Sequence, residues 1–235
     1  MKARIMTFNT QHCAAFLDGL RIDLPLFGRT VAESGADIVA LNEMRNIGPR
    51  EGYTDQTGML ARLAKMKEAL FSEAIRFEGI LPYGNSLISK LAVREWETVM
   101  IPDPNPRGYS GYYETRAILK AELESGLRVL VTHVGLNPDE QENAVRVLKP
   151  LLRREKCILM GDFNMEPDNP LIAEISREIC DTGSMIEGDS RTFPSDLPTK
   201  KIDYIFLSPD IRVKRVFVPE LIVSDHRPIV ADIEW

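Results

Sequence analysis

The sequence predicts a mixed α/β fold built on two packed β-sheets. Three observations lead there. Toward both ends of the chain, strand-like apolar runs alternate with helical patterns. In the middle, strand-like runs follow one another without helices between them, which makes antiparallel neighbours there. The length of 235 residues, 44% apolar and 27% charged and without repeat or linker, fits one globular domain over residues 1–235.

The elements follow in order. Ala3–Asn9 reads as a strand, with Ile5 and Thr7 on one face and Met6 and Phe8 on the other. Pro25–Glu33 reads as a helix stopped by Gly35, and Asp37–Asn42 as a short apolar strand. The spacing of Leu60, Leu63, Ala64 and Met66–Leu70 predicts a helix over Thr57–Phe71. Strands are expected over Glu73–Glu78, Gly84–Lys90, Val93–Ile101, Thr115–Glu124 and Leu127–Thr132. Asp139–Leu152 is the clearest amphipathic helix, through Ala144, Val145, Leu148, Leu151 and Leu152. Cys157–Met160 reads as a buried strand, and Ile202–Leu207, Arg212–Val218 and Ile229–Ile233 close the series. Pro102–Tyr113 holds three prolines, two glycines and Tyr109, Tyr112 and Tyr113. It reads as a surface loop, or as a rim through which Tyr109 and Tyr112 touch substrate.

The charge balance, 29 Lys and Arg against 35 Asp and Glu for a net −6, argues against a protein that coats nucleic acid. It leaves room for one local phosphate site. Cys13, Cys157 and Cys180 are far apart, so neither a disulfide framework nor a zinc knuckle is expected. No apolar run approaches the ~18–20 residues of a membrane helix. Met1–Arg4 leads straight into a strand rather than a signal peptide. A soluble, cytoplasmic monomer without membrane insertion is expected.

Chemistry shows in where apolar strands end. Strand side chains alternate faces, so a row can be followed by counting in twos. Ile5 and Thr7 lead to Asn9; Val39 and Leu41 lead to Glu43; Val129 and Val131 lead to His133; Ile158 and Met160 lead to Asp162, with Asn164 two further on. Asp203 shares the row of Ile205 and Leu207, and Asp225-His226 precedes the last strand. Each has a plainer reading: Glu43 as a strand-end surface charge, His133 as a satisfied core histidine, Asp162 and Asn164 as an Asx turn. Together they are harder to dismiss, because strand carboxyl ends are where α/β sheets place their sites. Glu43, Asp162, Asp203 and Asp225 in one pocket repel unless a cation holds them. Oxygen ligands without cysteine favour Mg²⁺ or Mn²⁺ over zinc. Carboxylates, an Asn and two histidines beside such an ion make a kit for phosphate-ester hydrolysis.

The sequence resembles the endonuclease/exonuclease/phosphatase superfamily, which includes deoxyribonuclease I, apurinic endonucleases, neutral sphingomyelinases and inositol-polyphosphate 5-phosphatases. The resemblance rests on Met6-Thr7-Phe8-Asn9, Asp37–Glu43, Gly84–Lys90, Thr132-His133, Gly161-Asp162-Phe163-Asn164, Ile202–Phe206 and Ser224–Pro228, in that order. It implies a deoxyribonuclease I-like α/β four-layered sandwich, two mixed β-sheets flanked by helices, with the site at one end. It implies that Glu43 binds the metal, with Asn9 and Asp225 beside it. Asp162 and Asn164 would orient water and phosphate, His226 would pair with Asp203, and His133 would contact the phosphate or protonate the leaving oxygen. Many relatives carry Arg-x-x-Gln in the helix after the Thr-His motif, and Gln141 takes that Arg place here. Arg116 is the candidate replacement, with a strand-edge charge as its plainer reading. Lys200 and Lys201 read as solvated lysines, and His12 as a loop histidine near the rim. The expected function is Mg²⁺- or Mn²⁺-dependent cleavage of a small or terminal phosphodiester on a phosphorylated small-molecule substrate. A nuclease acting on DNA or RNA and a phosphate-binding pseudoenzyme are the alternatives.

Overall fold

The structure is a computed structural model describing residues 1–235. Its strands are β1 (Lys2–Asn9), the short pair β2 (Ala14–Ala15) and β3 (Arg21–Ile22), β4 (Ile38–Arg45), β5 (Glu68–Phe77), β6 (Leu81–Ser89), β7 (Val93–Ile101) and β8 (Arg116–Leu123). There follow β9 (Arg128–His133), β10 (Cys157–Asp162), β11 (Cys180–Asp181), β12 (Ile186–Glu187), β13 (Asp203–Leu207), β14 (Arg212–Phe217) and β15 (Ile229–Glu234). The helices are α1 (Leu24–Ser34), α2 (Gln56–Leu63), α3 (Pro138–Leu148) and α4 (Pro170–Ser176).

Two mixed sheets carry the molecule, one ordered β12-β14-β15-β1-β4-β6-β5 and the other β11-β13-β10-β9-β8-β7. β1 runs parallel to β4, and β9 parallel to β10. The pairs β5–β6, β7–β8 and β8–β9 in the middle of the chain are antiparallel. The sheets face each other through a shared apolar core in which Ile5, Ile38 and Ala40 meet Val129, Val131, Ile158, Met160 and Ile205. Met6, Phe8, Val39 and Leu41 point the other way, into a second core with Phe27 and Val31 of α1 and Leu60 of α2. Leu130, Leu159 and Phe206 pack outward against Val145 and Leu148 of α3 and Ile172 of α4. The order helix, sheet, sheet, helix is the expected four-layered sandwich.

Local sequence explains the helix ends. Asp23 Oδ1 accepts the Leu26 N–H at 2.9 Å, Pro25 sits in the first turn, and Gly35 closes α1 with φ 70°. The helix expected over Thr57–Phe71 is corrected: α2 stops at Leu63 and Lys65 turns left-handed at φ 56°. From Glu68 onward the chain is β5, paired with β6 from Glu68 opposite Ser89 to Phe77 opposite Leu81. Pairing overrides local spacing here, because both faces of this strand are covered. Leu70 enters the core between the sheets and Phe71 packs on the helix side. The helix expected over Asp139–Leu152 ends at Leu148, where Lys149–Leu151 tightens into a 3₁₀ turn at Pro150.

One glycine is required by the strand that carries the site. Gly161 has φ 147°, and a Cβ there would lie 1.8 Å from the Thr132 carbonyl oxygen of β9. Gly79 also has positive φ, at 73°, but nothing lies within 4 Å of its would-be Cβ. Gly161→Ala is therefore expected to cost roughly 2–4 kcal/mol in urea unfolding, at the upper end for point substitutions. Gly79→Ala should cost about 1 kcal/mol, the conformational term alone. Equal losses for the two variants would contradict this reading of Gly161.

Candidate active site

The inward rows of both sheets end together at one mouth. Asn9 continues the row of Ile5, His133 that of Val129 and Val131, Asp162 that of Ile158 and Met160, and Asp203 that of Ile205 and Leu207. Register makes them neighbours, since Asp162 lies opposite Asp203 on β13 and beside His133 on β9. All four side chains are buried.

Glu43 arrives by a different route from the one alternation suggests. Val39 and Leu41 face the helices, and so does Met44. Continued regularly, the row of Val39 and Leu41 would carry Glu43 under α1 and α2, away from the mouth. Instead the β4–β6 register shifts between Leu41 and Met44, and Glu43 adopts φ 62°. This bulge re-aims one carboxylate. Asn9 Nδ2 then donates to Glu43 Oε1 at 3.1 Å and to Asp162 Oδ2 at 3.0 Å, tying the two sheets' carboxylates together.

Asp162 Oδ2 is the hub. It lies 3.5 Å from His133 Nε2 and 3.7 Å from His226 Nε2, while Asp162 Oδ1 accepts the Asn164 N–H at 2.9 Å. His226 Nδ1 bonds Asp203 Oδ2 at 2.8 Å, and Phe193 covers the ring with centroids 4.8 Å apart. Burial alone would lower the His226 pKa, but Asp203 and Asp162 together outweigh it and raise it. Burial pushes the Asp162 carboxyl up. His133 goes the other way: burial, then the charges of Arg116 and His226, hold its ring well below the usual histidine range. Asn164, left-handed at φ 50°, donates from Nδ2 to the Val134 carbonyl at 2.9 Å, which fixes its side chain over His133.

Asp225 is half-buried beside His226, and its Oδ1 accepts from Ser224 Oγ at 3.0 Å. Burial raises its pKa, and the nearby charge of Glu43 adds to the rise. Neither Glu43 nor Asp225 forms a direct ion pair; their hydrogen-bonding neighbours are the neutral Asn9 and Ser224, while the charge of His226 acts on Asp225 against the effect of burial. Asp203 Oδ1 is buried without a hydrogen-bond partner. Asp162, Asp203 and His226 also bring one ligand-capable atom each within 4.8 Å of one another. Oxygen donors of this kind fit a hard divalent cation, with Glu43 and Asp225 as carboxylates in no ion pair and Asn9 beside them, its Oδ1 accepting the Gln11 N–H at 3.1 Å.

Of the remaining candidates, Arg116 does reach the site, but from inside. It is buried, paired with Glu114, and its Nη1 stands 2.9 Å from His133 Nδ1. Tyr109 and Tyr112 are exposed on the loop, at 52% and 61%, and contact none of the clustered carboxylates. That loop is tied to α3, since Asn137 Nδ2 donates to the Tyr112 carbonyl and Tyr113 OH donates to Asp139 at 2.8 Å. Gln141 Nε2 donates to the Asn164 carbonyl at 3.2 Å and so braces the turn after Asp162. Lys201 is a correction: it is buried rather than solvated, with Nζ 3.2 Å from the Tyr204 ring centroid and 3.5 Å from Asp181. His12 is half-buried, left-handed at φ 48°, and its carbonyl accepts from Gln56 at 2.8 Å.

Sequence reasoning missed two groups. Buried Asn42 donates to Asn85 Oδ1 and to the Thr132 carbonyl, both at 2.8 Å, and accepts the Asp162 N–H at 3.1 Å. It stitches the sheets directly beneath the hub. Tyr83, nearly buried, lies beside Glu43, and burial then that charge push its phenol upward. Asn42 and Asn85 left a signal, an amide inside an apolar strand; Tyr83 left none.

Comparison with known proteins places this geometry. The sequence profile described as the Endonuclease/Exonuclease/phosphatase family matches residues 6–226. A search of curated protein sequences finds no match. Among solved structures, the chain is similar to an endonuclease/exonuclease/phosphatase from Beutenbergia cavernae, with 21% identity and TM-score 0.77 over 99% of this chain and 71% of that one. It is similar to a mannosyl-6-phosphatase of Bacteroides thetaiotaomicron, with 17% identity and TM-score 0.76 over 99% of both chains. It is also similar to the human Nocturnin catalytic domain with bound sulfate, with 17% identity and TM-score 0.70 over 99% of this chain and 94% of that one. At these identities the likeness is one of fold.

Proposed function

Because this chain belongs to the endonuclease/exonuclease/phosphatase family, whose members are hydrolases acting on phosphoester bonds, we propose that it is a Mg²⁺- or Mn²⁺-dependent phosphoesterase acting on a small or terminal phosphodiester. The observation that carries this reading is the position of Asp162 Oδ2 between two imidazoles, with Glu43 and Asp225, neither in a direct ion pair, alongside. Asn9, Glu43 and Asp225 would hold the ion, which when bound supplies positive charge to a phosphate oxygen. Asp203 favours the charged form of His226, so that ring meets the phosphate as a cation. Asp162 is then left to accept the proton of the attacking water, and Asn164 to orient water and phosphate. His133 points its Nε2 into the same space.

Several features support a compact substrate. The chain is acidic overall, at net −6. Its basic run Arg153, Arg154 and Lys156 gathers with Gly126 before β10, at the opposite end of the strand from the mouth. Lys201 is spent on Tyr204 and Asp181. A salt series with a small diester and a DNA duplex tests this. Turnover of the diester is expected, with substrate affinity nearly flat in salt. Tight duplex binding that falls with a slope of about −0.9 per phosphate contacted, with cleavage, would instead support the nuclease. Binding of phosphate esters without turnover would support a pseudoenzyme.

A further inference from the structure

We propose that Arg116, itself held by Glu114, is a positioning residue that locks His133 as a neutral ring with its proton on Nε2, so that His133 serves as a fixed hydrogen-bond donor to the phosphate and not as a proton donor to the leaving group. This rests on the phosphoesterase reading for its chemical meaning, though not for its geometry.

The geometry is specific. A guanidinium can only donate, and it is always charged. Arg116 Nη1 lies 2.9 Å from His133 Nδ1, so that nitrogen is an acceptor and carries no proton. A neutral imidazole has one proton, which therefore sits on Nε2. Asn164 Nδ2 lies 3.2 Å from Nε2 and would prefer a bare nitrogen there. That preference loses: a charge-assisted contact at 2.9 Å outweighs a neutral amide at 3.2 Å. The Asn164 amide spends one of its two N–H groups on the Val134 carbonyl. Nε2–H has an acceptor at hand in Asp162 Oδ2, 3.5 Å away.

The surroundings keep the ring neutral. Arg116 faces it from β8, Asp162 from β10, and His226 from the loop before β15, while Asp203 on β13 stands behind His226. The cations and burial lower the ring's affinity for a second proton. Arg116 is only 9% exposed, and its contacts with Glu114 and His133 are both internal. A neutral imidazole is a far weaker acid than an imidazolium, and so a poor source of a proton for a leaving group in the transition state. What it offers is a hydrogen bond aimed into the mouth.

Nitrogen-15 NMR of the imidazoles tests this on the full chain. With only three histidines, single substitutions assign the signals. The expected result is a His133 ring with bare Nδ1 and protonated Nε2, unchanged between about pH 5 and pH 8, the range in which an ordinary histidine titrates. In Arg116→Met the same ring should begin to titrate or exchange tautomers. If that variant fails to fold, Arg116→Lys, which keeps the charge and loses the fork, should show a partial change. A wild-type His133 protonated on Nδ1, or one that gains a second proton in that range, overturns the proposal. Kinetics gives a second readout. His133→Asn should slow aryl and alkyl phosphodiesters by the same factor; a loss confined to the poorer alkyl leaving groups would show proton donation instead. Should the chain hydrolyse no phosphoester, the phosphoesterase reading fails and the NMR result still decides the tautomer.

Discussion

Asp203→Asn and His226→Ala are each expected to lower kcat by roughly 10²–10⁴, the usual scale for losing a positioned acid–base or charged group. The double variant should be little worse than the poorer single one. The two side chains are joined by a 2.8 Å hydrogen bond, and both are almost fully buried. The one side-chain hydrogen bond that Asp203 makes goes to His226, so the pair is expected to act as a unit. Groups that act as a unit give losses that do not add. Multiplicative losses in this cycle would show two independent contributions. Unfolding midpoints of the three variants separate this from simple destabilisation.

Glu43→Gln should shift metal response far more than stability. Glu43 is half-buried, forms no ion pair, accepts from the neutral Asn9 Nδ2 and lies beside the neutral phenol of Tyr83. Its loss removes a charge that no direct ion pair offsets. The Mg²⁺ or Mn²⁺ concentration for half-maximal activity is expected to rise at least about 10–100-fold, the loss seen when even a ligand's supporting partner is removed. The unfolding free energy should move by no more than about 1 kcal/mol, since no core contact depends on the carboxylate. An unchanged metal requirement would take Glu43 out of the metal site.

Much of this site is legible in the sequence because strand geometry is simple. Counting in twos from Ile5, Val129, Ile158 and Leu207 arrives at Asn9, His133, Asp162 and Asp203 on the inward faces, and the structure has them there. The same counting fails at Glu43. A bulge is a backbone event that leaves no mark in hydrophobic alternation, and only the sheet register reveals it. The helix expected through Phe71 fails for a related reason. Met66–Leu70 has spacing that suits either element, and the open edge of β6 decides for a strand. Asn42 and Arg116 become meaningful only when two distant strands are opposed, because their partners lie 90 and 17 residues away. The short helix α4 is absent from the sequence reading, although Asn169-Pro170 is a helix-start pair and the structure has Asn169 accepting the Leu171 N–H.

The central claim is that clustered carboxylates at the mouth of the two sheets hold a divalent cation for phosphoester hydrolysis. The most direct measurement is the hydrolysis rate of a small phosphodiester by protein stripped with a chelator, before and after Mg²⁺ or Mn²⁺ is returned. The account predicts that stripping abolishes turnover, that either ion restores it, and that Glu43→Gln recovers only at much higher ion concentration. Full hydrolysis by thoroughly stripped protein would contradict it.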